Sequence, residues 1–292
     1  MPASLDVLKN DTVTRMFVDT ADQNYVIARW AFHRGLYLDF FWNSVHALEK
    51  YLKASLLLNG RSAIRNAEGR SFGHNLNLLI DEVATYADDY LPQRLTQPEQ
   101  MKQLRWREET PVEFLSRFYD LGEANNRYNL FGYVQRWEDL HHLDLLVFAL
   151  RRIAFDLTAH PFLGNYPLEE SDPKSLGELL VKFPDHSPRS NNSRLFKMLN
   201  TKGPDELRDA GLHLNFVFAP SDYDHSRFPV QIGTSGSNSA LYSHIMQQLE
   251  NSPSKEMDQE AADLANWVID NIQLPRPLRE ELRSHAVTLA TR

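Results

Sequence analysis

What most constrains this chain is a three-and-four spacing of apolar residues, restated in separate blocks over roughly its first 160 residues. In the first block, Asp19 to Gly60, one side carries Tyr25, Ala28, Phe32, Phe40, Phe41, Val45, Leu48, Tyr51, Leu52 and Leu58, with Ser55 among them. That pattern predicts one long helix or two stacked ones, with a bend at Gly35 and a stop at Asn59-Gly60. A second helix starts near His74 or Asn75 and carries Leu76, Leu79, Ile80, Val83 and Tyr86. A third opens on Thr110-Pro111-Val112-Glu113, with Thr as N-cap, Pro at the first position and Glu at the third, and runs towards Asn125. A fourth spans about Gln135 to Thr158 through Leu140, Leu143, Leu146, Val147, Leu150, Ile153, Ala154 and Leu157, and Pro161 ends it. Arg61–Gly73, Pro92–Thr110 and Asn126–Val134 read as the connections.

Amphipathic helices in series bury their faces most simply against one another. The expected fold is therefore mainly α: an antiparallel four-helix up-and-down bundle over residues 15–162. The Pro-, Gly- and acid-rich stretch Gly164–Pro173 marks the boundary to residues 163–292. There the pattern predicts short helices at 175–182, 192–200 and 204–211, then longer ones at 239–250, 256–272 and 276–290. Leu214–Ala219 and Phe228–Gly233 are the strand candidates, able to pair as one short hairpin.

With 42% hydrophobic and 11% aromatic residues the chain can fill a substantial core. It has no cysteine, which excludes disulfides, thiolate metal sites and a cysteine nucleophile, and suits a reducing cytoplasm, the expected compartment. No run reaches the roughly 18 apolar residues of a membrane span. The N-terminal segment lacks the basic head and apolar stretch of a secretory signal. A net charge of −8 excludes a uniformly basic coat for nucleic acid while leaving room for a local basic site.

The segment Phe40–Gly60, FFWNSVHALEKYLKASLLLNG, places His46, Glu49, Lys50 and Lys53 on one polar stripe. The plain reading is a Glu49–Lys53 ladder contributing about a few tenths of a kcal/mol. The stripe, with Gly73-His74-Asn75-Leu76 at the start of the second helix and Asn126-Arg127-Tyr128-Asn129 between the third and fourth, resembles the motifs of HEPN domains. The resemblance covers about residues 15–160. It implies an up-and-down bundle, usually dimeric, associated with RNA cleavage, RNA or nucleotide binding, and prokaryotic defence or toxin–antitoxin systems. Its ribonuclease members carry an Arg followed, after four to six residues, by a His near the start of the last helix. There the imidazole serves acid–base chemistry and the guanidinium holds a phosphate. Laid on this chain, Arg127 meets Gly132 and Tyr133 where the histidine belongs. Arg136 with His141 or His142 also satisfies the spacing, but such offsets within one helix do not share a face, and Glu138 and Asp139 would repel a phosphate.

Elsewhere, the acidic residues Asp81, Glu82, Asp88 and Asp89 spread over more than one helical face, and the eleven histidines show no zinc spacing. Arg61, Arg65 and Arg70 read as a solvated loop or as a phosphate-holding arm beside His74. Gly233–Ser239 reads as a connector, since it lacks the Lys of a phosphate-binding loop. Three functions follow. The one adopted is a non-catalytic module without metal or cofactor, in which Asn43, His46, Glu49, Lys53, His74, Arg127 and Tyr128 hold a nucleotide, an RNA end or another anionic ligand. The runner-up is a metal-independent ribonuclease using Arg136 with His141 or His142. The third is a homodimeric interaction scaffold.

Overall fold

A computed structural model describes residues 5–124, 126–160, 172–184, 194–199, 205–227, 233–251 and 254–291. It is mainly α, as the periodicity predicts: α1 (Leu5–Val13), a π-helical turn (Thr14–Val18), α2 (Asp19–His33), α3 (Tyr37–Leu58), α4 (Leu76–Ala87), α5 (Pro111–Leu121), β1 (Tyr133–Gln135) and α6 (Asp139–Ile153). There follow α7 (Leu176–Lys182), α8 (Arg194–Leu199), α9 (Glu206–Leu212), β2 (Ser235–Ser237), a π-helical turn (Tyr242–Met246), α10 (Gln247–Asn251), α11 (Lys255–Asn271) and α12 (Arg276–Ala290). No helix among the described residues is long and apolar enough to cross a membrane.

The chain forms two compact units that interleave in sequence. The described residues of Met1–Tyr119 and Trp137–Ile232 make one, and those of Asp120–Arg136 and Gly233–Arg292 the other. This differs from a single boundary after residue 162, for a physical reason: segments beyond that point are bonded into α2. Leu195 N–H donates to the buried Asp22 carboxylate (3.1 Å), and Arg29 on α2 donates to the carbonyls of Ala210 (3.0 Å) and His213.

In the first unit Asp19–Gly60 takes the second of its two expected forms, two helices, and folds back on itself. Gly35 takes φ +72°, a left-handed conformation that glycine adopts without a Cβ penalty, and the chain reverses. Phe32 then meets Phe40 (5.0 Å between centroids) near the turn, while Asp22 accepts from Tyr51 at the far end, so α2 and α3 are antiparallel. The central helix, α3, buries residues around most of its circumference, among them Phe40, Phe41, Leu48, Tyr51, Leu52 and Leu56. Phe118 of α5 packs on Phe40 and Phe41 at 5.6 and 5.2 Å. The expected N-terminal box of α5 is present: Glu113 N–H donates to Thr110 Oγ1 (3.2 Å) and Thr110 N–H to Glu113 Oε2 (2.8 Å).

The fourth expected helix, α6, begins at Asp139 and ends at Ile153, shorter than Gln135–Thr158 at both ends. Gln135 and its two predecessors are instead β1, which pairs antiparallel with β2 in the register Tyr133↔Ser237, Val134↔Gly236, Gln135↔Ser235. The stretch expected as a connector, Gly233–Ser239, therefore holds a strand. The strand candidate Leu214–Ala219 is a run of turns. Leu214 has φ +54°, the Asn215 carboxamide accepts from Phe218 N–H (3.1 Å) and donates to Gly211 O (2.8 Å), and these local bonds replace a ladder. The partner candidate at 228–232 lies outside the described residues.

In the second unit, α11 and α12 pack a core of Ala261, Ala262, Ala265, Val268, Leu278, Leu282, Ala286 and Leu289, which Leu241 and Ile245 complete. The small residues on α11 allow a close approach of the two helices.

Candidate functional site

Five of the seven expected ligand-binding residues lie in the first unit, and the structure brings them together along α3. Glu49 is buried at 7% exposure, yet its carboxylate has two partners. Lys53 Nζ donates to Oε1 (2.6 Å), and His74 Nδ1 lies 3.0 Å from the same oxygen. Lys53 also donates to Gly73 O (2.9 Å), so the stripe on α3 clamps the Gly73-His74 turn. Asn75 then caps α4 by accepting from Leu78 N–H (3.1 Å). The His74 side chain is 77% exposed; with Nδ1 on the carboxylate, Nε2 is the nitrogen left for a ligand.

One turn earlier on α3, His46 stands edge-on to Trp42, 4.2 Å between centroids. Burial lowers its pKa, Glu49 pulls it up, and Lys50 and His74 push it down again. Lys50 donates to Asn24 Oδ1 (2.6 Å), Asn24 donates to Asn43 Oδ1 (2.8 Å), and Asn43 donates to Asp39 O (2.9 Å). Burial lowers the Lys50 pKa as well. Asn43, His46, Glu49, Lys53 and His74, with Lys50, thus form one polar face. In it Glu49 and Lys53 are the inner, positioning groups, and His74 is the outer one.

Arg127 and Tyr128 belong to the second unit, on a 3₁₀ turn (Asn126–Tyr128). The guanidinium lies 5.0 Å from the centre of the Tyr128 ring, which is 70% exposed. The asparagines of this motif are structural. Buried Asn126 donates to Leu121 O (2.9 Å) and Gly132 O (3.1 Å) and accepts from Phe131 N–H (3.0 Å). Asn129, at φ +55°, donates to Ser237 Oγ (3.0 Å).

Arg136 follows β1 and precedes α6, in contrast to its expected place inside a helix. His141 and His142 are 4% and 0% exposed. His141 stacks on Phe216 (5.7 Å, 15° between planes), and burial, reinforced by Arg29, pushes its pKa down to about 3. His142 sits edge-on to Trp106 (4.9 Å), its Nδ1 3.3 Å from Glu109 Oε2. Burial opposes ionisation of Glu109, but His142 and Arg117 prevail and hold its pKa at about 2. Glu109, Asp139 and His142 have ligand atoms within 4.8 Å of one another, the one such trio among the described residues. Arg117 grips Glu109 with two bonds (3.0 and 2.6 Å) and Asp139 with a third (2.8 Å), supplying the positive charge a metal would otherwise bring.

The other charged motifs disperse. Glu82 bonds Arg61 (2.7 Å), while Asp81, Asp88 and Asp89 are exposed. Arg65 and Arg70 are exposed in a loop closed by the Arg65↔Ser71 bridge.

A buried polar cluster on α2 and α6 was not anticipated. Arg29, fully buried, donates to Asp144, and Tyr25 donates to the same carboxylate (2.7 Å); Asn215 donates to Tyr25 (2.9 Å). Around Arg29 stand His33 and His213, 5.1 Å apart, beside a cavity of about 60 Å³ shared with Trp30 and Glu206. Burial lowers His33 to about 2 and His213 to about 4, and the Arg29 charge adds to both. A signal for it existed: Arg29 and Asp144 occupy the apolar stripes of their helices, between Tyr25 and Phe32 and between Leu140 and Val147. Charges there imply a buried pair.

Compared with family models, curated proteins and solved structures, the chain matches none.

Proposed function

We propose that the first unit is a HEPN-like helical module that binds an anionic ligand, a nucleotide or an RNA end, over the α3 face. His46, Lys50 and His74 contact the ligand in this reading, while Glu49 and Lys53 hold His74 in place. The observation that carries it is the Glu49–Lys53–His74 triangle. Two motifs separated by a polar loop, each resembling one of the same family, meet through two bonds of 2.9 and 3.0 Å, and a third bond of 2.6 Å within α3 holds Lys53 to Glu49. A structural ladder alone would need only Glu49 and Lys53. Here the buried carboxylate also orients an exposed imidazole, as a carboxylate does when it sets which nitrogen faces a ligand.

The test is a thermal-shift titration with AMP and a short RNA. A ligand that binds only the folded state raises Tm by mass action. The expected outcome is a rise for the parent protein that disappears in a Lys50→Ala/His74→Ala variant of unchanged far-ultraviolet dichroism. Absence of any rise at millimolar nucleotide or micromolar RNA removes the reading.

A further inference from the structure

The far end of α3 opens onto a cleft of about 680 Å³ that the polar face above does not use. Its floor is fixed by Asn59, whose carboxamide donates to Phe155 O (2.9 Å) and accepts from Leu157 N–H (3.1 Å). One wall is α7, tied down where Gly177 N–H donates to Leu157 O (2.9 Å). A Cβ at Gly177 would come within 2.6 Å of the Tyr90 hydroxyl oxygen, so this ring lies close over α7.

Two cations line the cleft, Arg61 and Lys182. Arg61 is fixed from two sides: Nη1 donates to Glu82 (2.7 Å), and the guanidinium lies over the Tyr86 ring, 4.5 Å from its centre. A guanidinium so held loses little freedom on binding an acid. Burial raises the Tyr86 pKa, which keeps the phenol neutral beside it. Glu178 is the opposing charge in the lining, and it accepts from Lys174 N–H (2.7 Å). Leu157, Val181 and the Tyr90 ring make the remainder of the wall largely apolar. Concave, mostly apolar and of ligand size, with a few fixed polar groups, is the general form of a small-molecule site.

We infer that this cleft binds a small organic anion, an acidic head on an apolar body, with Arg61 and Lys182 at the head and Tyr90 and Val181 along the body. The site stands apart from the α3 face and does not depend on its assignment. The chemistry is shared by carboxylic acids and phosphate monoesters, and the test separates them. Isothermal titration of the full chain is run with octanoate, phenyl phosphate and inorganic phosphate. Saturable binding of octanoate or phenyl phosphate is expected, the tighter of the two naming the head group, with inorganic phosphate at least about tenfold weaker because it lacks the body. Arg61→Gln/Lys182→Gln should weaken the organic acid by about tenfold or more, as loss of charge-assisted hydrogen bonds does. Since Arg61 also bridges to Glu82, Val181→Glu provides a second arm at a site 60% exposed, where folding is undisturbed and the new charge repels the ligand. His74→Ala should leave octanoate and phenyl phosphate binding unchanged, which keeps this result distinct from the α3 reading. The inference is overturned if neither organic acid binds at millimolar concentration, if inorganic phosphate binds equally well, or if both the double variant and Val181→Glu bind like the parent.

Discussion

Gly132 stands where the proposed HEPN-like reading would put a histidine, and its surroundings explain the residue. Its φ is +73°, and a Cβ built there would meet Ser239 N at 3.1 Å and Asn238 Cα at 3.2 Å, with the Ser237 carbonyl nearer still. Every one of those atoms is backbone, so nothing can rotate away. The glycine is required by the pairing of β1 with β2, independently of any chemistry at that position. Gly132→Ala should therefore destabilise the second unit by about 1–3 kcal/mol, from the left-handed strain and the displaced strand together. Urea unfolding followed by Trp267 fluorescence, in a variant whose other four tryptophans are replaced by phenylalanine, would read it; an unchanged midpoint would mean that the strand pairing is not what requires the glycine. Gly132→His, the substitution that would create the Arg-to-His spacing of the proposed HEPN-like reading, should cost at least as much.

At the scale of elements, α2 is held to α6 and to the turns after α9 by charges rather than by apolar contact alone. Asp144 is 1% exposed, and Arg29 and Tyr25 are its donors. Removing the guanidinium leaves that carboxylate buried without its cation, so Arg29→Met should cost about 3–5 kcal/mol, whereas Arg29→Met/Asp144→Leu should recover much of the loss. Guanidinium-chloride midpoints of the two variants test this; equal destabilisation would mean that Arg29 acts through packing and its bonds to Ala210 and His213. The same elements mark the limits of reading structure from sequence. Helices α3, α4, α5, α11 and α12 were legible because the apolar stripe of each also carries its packing. Gly35 marked the bend, but the repeat could not choose between one long helix and two stacked ones, because a three-and-four repeat continues unbroken across a hairpin when both arms face one core. Leu214–Ala219 misled for the opposite reason. Its alternating Leu, Phe and Phe suggest a pleated strand, but Phe216 stacks on His141, Phe218 packs tilted and edge-on against Tyr25 and Phe148, and Asn215 ties the turn. In the candidate site, the partners of Glu49 within α3 could be read from spacing, while the bond to His74 bridges 25 residues that no local pattern links.

Taken as a whole, the first unit concentrates neutral imidazoles around one buried cation, and this sets how its stability responds to acid. His33, His141 and His213 have pKa values of about 2, 3 and 4 against 6.5 for an unhindered imidazole, with burial the leading cause and Arg29 adding to each. A histidine with a lowered folded-state value binds fewer protons folded than unfolded. Stability is therefore level above pH 6.5 and falls as pH drops through 6.5 towards the folded values. Glu109, held at about 2 against an ordinary 4.5, acts in the same sense but only below about pH 5. Burial raises the Asp144 pKa, which works in the other direction as pH falls towards the ordinary 3.8. The imidazoles begin to act at 6.5, so the window that reports them is about pH 7.5 to 5. Each imidazole that must stay neutral costs about 1.4 kcal/mol per pH unit below 6.5, so three together steepen the loss to about 4 kcal/mol per unit near pH 5. Chemical denaturation at half-unit intervals should show a plateau above pH 7 and this steepening slope below 6. His213→Asn, which removes one imidazole beside Arg29, should flatten the slope by about a third; a slope unchanged in that variant would place the acid sensitivity elsewhere in the molecule.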